Sequence, residues 1–325
     1  MREKLLTIKD LQTHFFTESG VVKAVDQIDL ELDQGDTLGL VGESGCGKSV
    51  TALSIMRLID PPGKIVAGRI LFSNQDLLLL GDSAMEKIRG NQISMIFQEP
   101  MTSLNPVFSI GTQIAETVRT HRCLSPKESL DVAIQMLDLV KIPSPRQRAQ
   151  DYPHELSGGM RQRVMIAIAL SCQPSILIAD EPTTALDVTI QAQIMDLIEQ
   201  LKEKTGTSVI LITHDLGVIA ETAQFVAVMY AGKVMEYANI KTLFGEPLHP
   251  YTSGLMRCIP RIDAETDRRN RLHIIPGIVP NLLELGRGCK FHDRCERRIA
   301  VCEQEEPEIL QVYEGHWVRC WRAQE

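Results

Sequence analysis

The chain has 325 residues, 44% of them hydrophobic and 23% charged, with a formal net charge of −8. That length allows a full core and more than one domain, and the acidic balance argues against general nucleic-acid binding, which rewards clustered Lys and Arg. The start MREKLLTIKD has no apolar run of signal-peptide length. The longest apolar runs, VMIAIALSC and SVILIT, fall short of the roughly 18 residues of a membrane span and fit buried elements. A soluble chain is expected, with any membrane role supplied by a partner.

Within the first hundred residues, LLTIKDLQTHF, VDQIDLEL, DTLGLVG, GRILFSNQ and ISMIFQ predict strands rich in Ile, Val, Leu and Phe. Residues 100–156 change to helical spacing. In SPKESLDVAIQMLDLV, Ser125 is the N-cap, Pro126 the first helical residue and Glu128 the partner of a capping box. Leu130, Ile134, Leu137 and Val140 then repeat at helical intervals. From 157 onward, VMIAIALSC, SILIADEP, TIQAQIMDLIEQLKEK closed by Gly206, SVILITHD and FVAVMY alternate helices with buried strands. That order predicts a parallel sheet covered by helices. After about 236 the chain is richer in Pro, Arg, Glu and Cys and reads as an appended small domain.

GESGCGKS, Gly42–Ser49, has the spacing G-x4-G-K-S between an apolar strand and an amphipathic helix. Gly42, Gly45 and Gly47 let the N–H groups of the loop, through Glu43, Ser44, Cys46 and on to Val50, turn around phosphate oxygens, and the helix N-terminus adds its dipole. Lys48 reaches toward β- and γ-phosphates, and the Ser49 hydroxyl suits Mg²⁺. Cys46, at a helix N-terminus, is expected to carry an unusually acidic thiol. SILIADEP ends a buried strand in Asp180 and Glu181; adjacent acids there suit Mg²⁺ binding and deprotonation of water. SVILITHD delivers His214, and ISMIFQEP delivers Gln98, to ends of further strands.

The order GESGCGKS, Gln98, LSGGM, LIADEP, TTALD, His214 resembles the ATP-binding subunit of ABC transporters over about residues 5–235. The resemblance implies an α/β fold: a P-loop NTPase core of ABC type, with a RecA-like sheet, an antiparallel β subdomain and a helical insert at about 100–158. It implies that Phe15 stacks on adenine and that Asp180, Ser49 and Gln98 hold Mg²⁺. Glu181 is then the catalytic base, assisted by Gln98 and by His214 at the γ-phosphate. Leu156, Ser157, Gly158, Gly159 and Met160 form the signature turn that meets ATP held by a second subunit, and Ala185, Leu186 and Asp187 form the loop crossing that interface.

QEPMTSLNP, LSGGM in place of the commoner LSGGQ, and HPYTSGLM resemble the dipeptide and oligopeptide importers, whose relatives also carry nickel or glutathione. The implied partners are a related, non-identical ATPase subunit, two transmembrane permeases and, indirectly, an extracytoplasmic binding protein, with this chain peripheral at the cytoplasmic face of the membrane. A soluble ABC ATPase working on nucleic acid or ribosomes is the contrasting reading; one cassette, a short insert and an acidic surface speak against it. A binding module with a dead ATP site conflicts with the presence of Lys48, Asp180, Glu181 and His214.

In a cytoplasmic chain disulfides are unexpected. Cys289, Cys295, Cys302 and Cys320 are separated by gaps that match neither zinc knuckles nor common ferredoxins, so spacing leaves a metal site or free thiols open. GCKFHDRC…C…P…VRC resembles the C-terminal module of the peptide-importer ATPases, which implies a four-cysteine [4Fe–4S] site at about 286–322 within a 236–325 extension, with Zn²⁺ as the alternative. Asp293 and Glu296 stand where that family commonly has prolines. His292 is a candidate substitute ligand, and Arg294, Arg297 and Arg298 read as a solvated face.

Overall fold

The computed structural model describes residues 4–99, 103–184, 186–258 and 274–324. The chain divides into two compact units, one built mainly from Leu79–Ile212, the other from Leu6–Glu31, Thr37–Leu78 and Thr213 onward.

The second unit contains an antiparallel sheet of β1 (Lys4–Thr17), β2 (Gly20–Asp33), β4 (Gly63–Phe72) and β5 (Gln75–Asp76), in the order β2-β1-β4-β5. In β1, Leu6 and Ile8 are buried, then Leu11 and Thr13. The alternation slips by one at Asp10, where φ is 47° and the pairing with β4 is bulged. In its other sheet, β3 (Thr37–Val41) is buried at every residue and runs parallel to β9 (Phe225–Tyr230), Leu38 facing Phe225 and Val41 facing Val228. Such unbroken apolar strands belong where both faces are covered. The chain reverses through Ala231 and Gly232, both at positive φ, into antiparallel β10 (Lys233–Asn239). From the far end of the chain, β12 (His316–Val318) pairs with β10, and β11 (Leu310–Tyr313) pairs with β12. Residues 310–318 therefore extend the sheet that begins with β3.

Glu236 of β10 is wholly buried and serves as a hub. It accepts the N–H groups of Leu248 at 2.7 Å and His249 at 3.0 Å, and it pairs with His316 Nε2 at 2.7 Å. A buried carboxylate is tolerable only when so supplied with donors. These bonds fasten the start of the Pro250–Arg257 helix to the sheet, and His249 caps that helix by accepting the Tyr251 N–H at Nδ1, 3.0 Å away.

The first unit holds β6 (Ile93–Ile96), β7 (Ile176–Asp180) and β8 (Ser208–Ile212), parallel in the order β8-β7-β6, with Ile176 facing both Ile93 and Ser208. Helices Gly158–Leu170 and Val188–Thr205 alternate with these strands, and the latter ends at Gly206, whose φ of 70° suits glycine. The helical insert comprises Ile110–Arg122, Pro126–Leu139 and Pro145–Arg148. The expected capping box is present: Glu128 N–H reaches Ser125 Oγ at 3.3 Å and Ser125 N–H reaches Glu128 Oε2 at 2.9 Å. The buried stripe differs from the expected one. Ser129, Ala133, Leu137 and Val140 are buried while Leu130 is 42% exposed. Small side chains at 129 and 133 let this helix approach the Ile110–Arg122 and Gly158–Leu170 helices it packs against, which turns Leu130 outward. Among the described residues no helix is long and apolar enough to cross a membrane.

Candidate functional site

In the second unit, buried β3 fixes where the glycine-rich loop begins, and the Lys48–Met56 helix fixes where it ends. At two of its glycines the loop lies so tight against its neighbours that side chains are excluded. A Cβ on Gly42 (φ 151°) would collide with the Met229 carbonyl, and one on Gly47 (φ 108°) with the Ala24 carbonyl. Gly45 differs from these two. It is exposed beside Ser44, and a Cβ there would meet nothing within 4 Å, so only its φ of 78° calls for glycine. Lys48 is only 5% exposed, and its ammonium is held by the carbonyls of Gly42 at 2.8 Å and Glu43 at 3.1 Å. Among the described residues no carboxylate pairs with it. A buried cation without a counter-charge is unfavourable until an anion arrives.

Cys46 departs from expectation. Its thiol is 1% exposed, and burial pushes its pKa up, outweighing the favourable Lys48 ammonium 3.7 Å away. The helix N-terminus does not make it acidic because the thiolate would have to exist without water.

Glu43 is engaged from the C-terminal part of the chain. Its N–H donates to the Tyr251 hydroxyl at 2.9 Å, and its carboxylate receives both terminal nitrogens of Arg294, Nη2 at 2.9 Å from Oε1. Arg294 is therefore no part of a solvated face: it is 7% exposed, whereas Arg297 and Arg298 are exposed as expected. A bidentate carboxylate and backbone carbonyls satisfy its planar fork, which is what lets it be buried. Tyr230, Tyr251 and Phe291 cluster around it, with ring centroids 4.8 to 5.2 Å apart. Also in this unit, Phe15 is half-buried opposite Gly63, Phe16 is 50% exposed, and His214 is exposed two residues beyond β8.

In the first unit, Asp180 ends β7 at 4% exposure, and Glu181 follows with φ at 46°, an uncommon conformation for a residue other than glycine. Gln98 Nε2 donates to Glu181 Oε2 at 3.2 Å, and the Thr184 hydroxyl donates to the same oxygen at 2.9 Å. Sequence reasoning placed Gln98 near this site but missed Thr184, although it stands three residues after Glu181. Two neutral donors thus fix the position of this carboxyl oxygen. Ser157 caps the Gly158–Leu170 helix by accepting the Met160 N–H, with Leu156 buried before it. Leu186 lies beside Gly158, and Asp187 caps the next helix by accepting the Ile190 N–H at 3.0 Å. Ala185 and residues 100–102 of QEPMTSLNP lie outside the described residues.

Of the four tail cysteines, Cys289, Cys302 and Cys320 are buried and Cys295 is half-buried; all are free thiols. Burial first, then the nearby Cys302, Cys320 and Cys295, pushes the Cys289 thiol up to about 12. The four share one electrostatic neighbourhood, and four sulfur donors are the set that iron–sulfur clusters or structural zinc use. As the thiols stand, however, among the described residues no three His, Cys, Asp or Glu side chains form a group that could hold a metal ion. The donor chemistry fits such a group. His292 is turned to the chain, its Nδ1 2.7 Å from the Cys289 carbonyl and its Nε2 3.1 Å from Asp293.

The family of ABC transporters matches residues 25–184, and the oligopeptide/dipeptide transporter C-terminal region matches residues 235–302. A probable peptide ABC transporter ATP-binding protein of Sinorhizobium fredii is 52% identical over 99% of this chain and 96% of its own. The dipeptide transport ATP-binding protein DppD of Bacillus subtilis is 50% identical over 98% and 95%, and the oligopeptide transport ATP-binding protein OppD of Escherichia coli 49% identical over 94% and 89%. Among solved structures, the dimeric ATP-binding cassette MJ0796 in a post-hydrolysis state with ADP and phosphate is 27% identical, with a TM-score of 0.65 over 72% of this chain and 98% of that one. Matched by both families and about half identical to peptide-transport ATP-binding proteins over nearly its whole length, the chain belongs to the ABC transporter ATP-binding proteins, in the oligopeptide/dipeptide branch.

Proposed function

We propose that the chain is the ATP-hydrolysing motor of a peptide importer, peripheral to the cytoplasmic face of a cell membrane. The observation that carries the ATP site is the buried Lys48 ammonium at the end of the glycine-rich loop, held by the Gly42 and Glu43 carbonyls and the Cys46 thiol, with no carboxylate paired to it among the described residues. Gly42–Val50 wraps the phosphates through N–H groups other than that of Glu43, with Ser44 and Gly45 exposed in the loop; Lys48, still held by the Glu43 carbonyl, reaches the β- and γ-oxygens, and Phe15 stacks on adenine. Ser49, Asp180 and Gln98 are the residues that would hold Mg²⁺, which when bound offsets phosphate charge. Glu181, steadied by Gln98 and Thr184, takes a proton from the attacking water, and His214 contacts the γ-phosphate. The exposed Ser157–Gly158 turn presents helix N–H groups to ATP on a second subunit. Closure and reopening of that pair move two transmembrane permeases, to which an extracytoplasmic binding protein delivers peptide; the relatives named for dipeptide and oligopeptide transport support that cargo over nickel or glutathione.

Cys289, Cys295, Cys302 and Cys320 are the residues that would hold a [4Fe–4S] cluster, as a cross-link in a segment with few large apolar side chains. The sharing of one electrostatic neighbourhood supports this reading. Iron, sulfide and zinc counted in protein purified without oxygen test it: about four irons per chain are expected, one zinc would replace the cluster by a structural ion, and no metal would end the reading.

Glu181→Gln tests the motor. ATP affinity should stay within about twofold, and turnover should fall by a factor on the order of 10²–10⁴. Near-wild-type turnover would remove Glu181 as the base.

A further inference from the structure

Glu43 is held on three sides by groups with different origins. Its carbonyl accepts from Lys48 Nζ at 3.1 Å and from the Cys46 N–H at 3.3 Å, both within the phosphate loop. Its N–H donates to Tyr251 Oη at 2.9 Å, from 208 residues away, and its carboxylate receives the guanidinium of Arg294, from 251 residues away. Neither distant residue belongs to the ATP-binding cassette match at 25–184; both lie in the C-terminal region matched at 235–302.

Both distant groups are themselves fixed. Tyr251 is wholly buried on a helix fastened through His249 and Glu236. Arg294 donates through Nε to the Pro276 carbonyl at 2.9 Å, and its guanidinium carbon sits 5.7 Å from the Tyr230 ring centroid and 5.9 Å from that of Phe291. Packing and bidentate geometry remove the freedom such a side chain has in solvent. With N–H and side chain both tied to rigid groups, Glu43 has little backbone rotation left. Its carbonyl stays aimed at the Lys48 ammonium, and its own N–H is withdrawn from any phosphate.

We propose that Arg294 and Tyr251 are positioning residues for ATP binding: from the C-terminal region they fix Glu43, and through the Glu43 carbonyl they hold Lys48 where it receives the β- and γ-phosphates. The proposal rests on the ATP-site reading above. It gives the C-terminal region a role in nucleotide affinity, and by linkage ATP strengthens the docking of that region.

The test is ATP affinity of the full-length chain, measured by titration with a fluorescent ATP analogue and by competition with ATP. Arg294→Ala should raise the Kd about tenfold or more, since truncating one partner of a buried, hydrogen-bonded charge pair leaves the other charge stranded. Arg294→Lys should recover part of the loss, keeping the charge without the fork. Tyr251→Phe, which removes one oxygen, should raise the Kd about threefold to tenfold, the weight of one neutral hydrogen bond. Arg298→Ala, on the exposed face of the same module, should leave the Kd unchanged. Because Arg294 acts through Glu43, the double variant Arg294→Ala, Glu43→Ala should bind no more weakly than the worse single one. A wild-type Kd in folded Tyr251→Phe and Arg294→Ala overturns the proposal, and so do effects that multiply in the double variant. Should Arg294→Ala fail to fold, Tyr251→Phe alone decides, a wild-type Kd in the folded variant overturning the proposal. A wild-type chain that binds no ATP would instead overturn the ATP-site reading.

Discussion

His249 links acidity to the helix that carries Tyr251. Its Nδ1 accepts the Tyr251 N–H at 3.0 Å, which a protonated ring cannot do, and its side chain is 1% exposed. Burial lowers its pKa from 6.5 to about 4, against the opposing attraction of Glu236 and with the nearby Arg319 charge adding to the lowering. In the unfolded chain a histidine takes its proton near 6.5, whereas here it does so only near 4, so below pH 6.5 the unfolded state binds more protons. The stabilisation is complete above about 6.5 and is lost as pH falls toward 4. The shift of about 2.5 units corresponds to about 3 kcal/mol in full, of which about 2 kcal/mol is gone by pH 5. Of the two tryptophans, Trp317 lies on β12 and Trp321 three residues after its end, so their fluorescence reports on this layer. Urea unfolding followed by that signal at pH 7 and pH 5 should show the wild type losing about 2 kcal/mol more than His249→Asn, whose amide oxygen can cap the helix but does not titrate. Parallel pH profiles for the two proteins would refute the reasoning.

Glu236→Gln should lower the same unfolding free energy by about 2–4 kcal/mol, because the amide turns one buried acceptor into a donor facing an N–H; an unchanged urea midpoint would contradict the hub described for Glu236. Mass-spectrometric alkylation with iodoacetamide at pH 8 should modify exposed Cys123 on the order of tenfold faster than Cys46, whose thiol is buried and raised in pKa. Equal rates would mean that the loop opens far more than its packing implies.

The sequence was most informative where chemistry is local. The glycine-rich loop running into a helix, the acid pair at the end of β7, the Ser125–Glu128 box and the Gly206 helix end each depend on residues within a few positions of one another, and each takes the local conformation its spacing predicts. Within that loop, spacing does not tell Gly45 from Gly42 and Gly47: one is needed for its backbone angle alone, the others also for the closeness of β9 and β2. Arg294 was misread because its partner, Glu43, lies 251 residues earlier, and an arginine among charged neighbours looks solvated until that carboxylate is found. Cys46 was misread for a related reason. Its helix-terminal position is visible in the sequence, but the burial that outweighs it comes from elements such as β9 that only the fold brings near. Leu130 shows the same limit: helical periodicity predicts a stripe, while the neighbouring helices decide which stripe is covered. HPYTSGLM marked Tyr251 as part of a family motif without revealing that its hydroxyl meets the phosphate loop.

ATP hydrolysis at Glu181 driving peptide entry is the step on which the motor reading depends. Uptake of a labelled tripeptide should be measured in the source cells with the chromosomal copy encoding either the wild-type chain or Glu181→Gln, with the amount of the chain matched by immunoblot. With Glu181 as the base, uptake should fall to the level of cells lacking the chain. Uptake at the wild-type rate in the Glu181→Gln cells would contradict it.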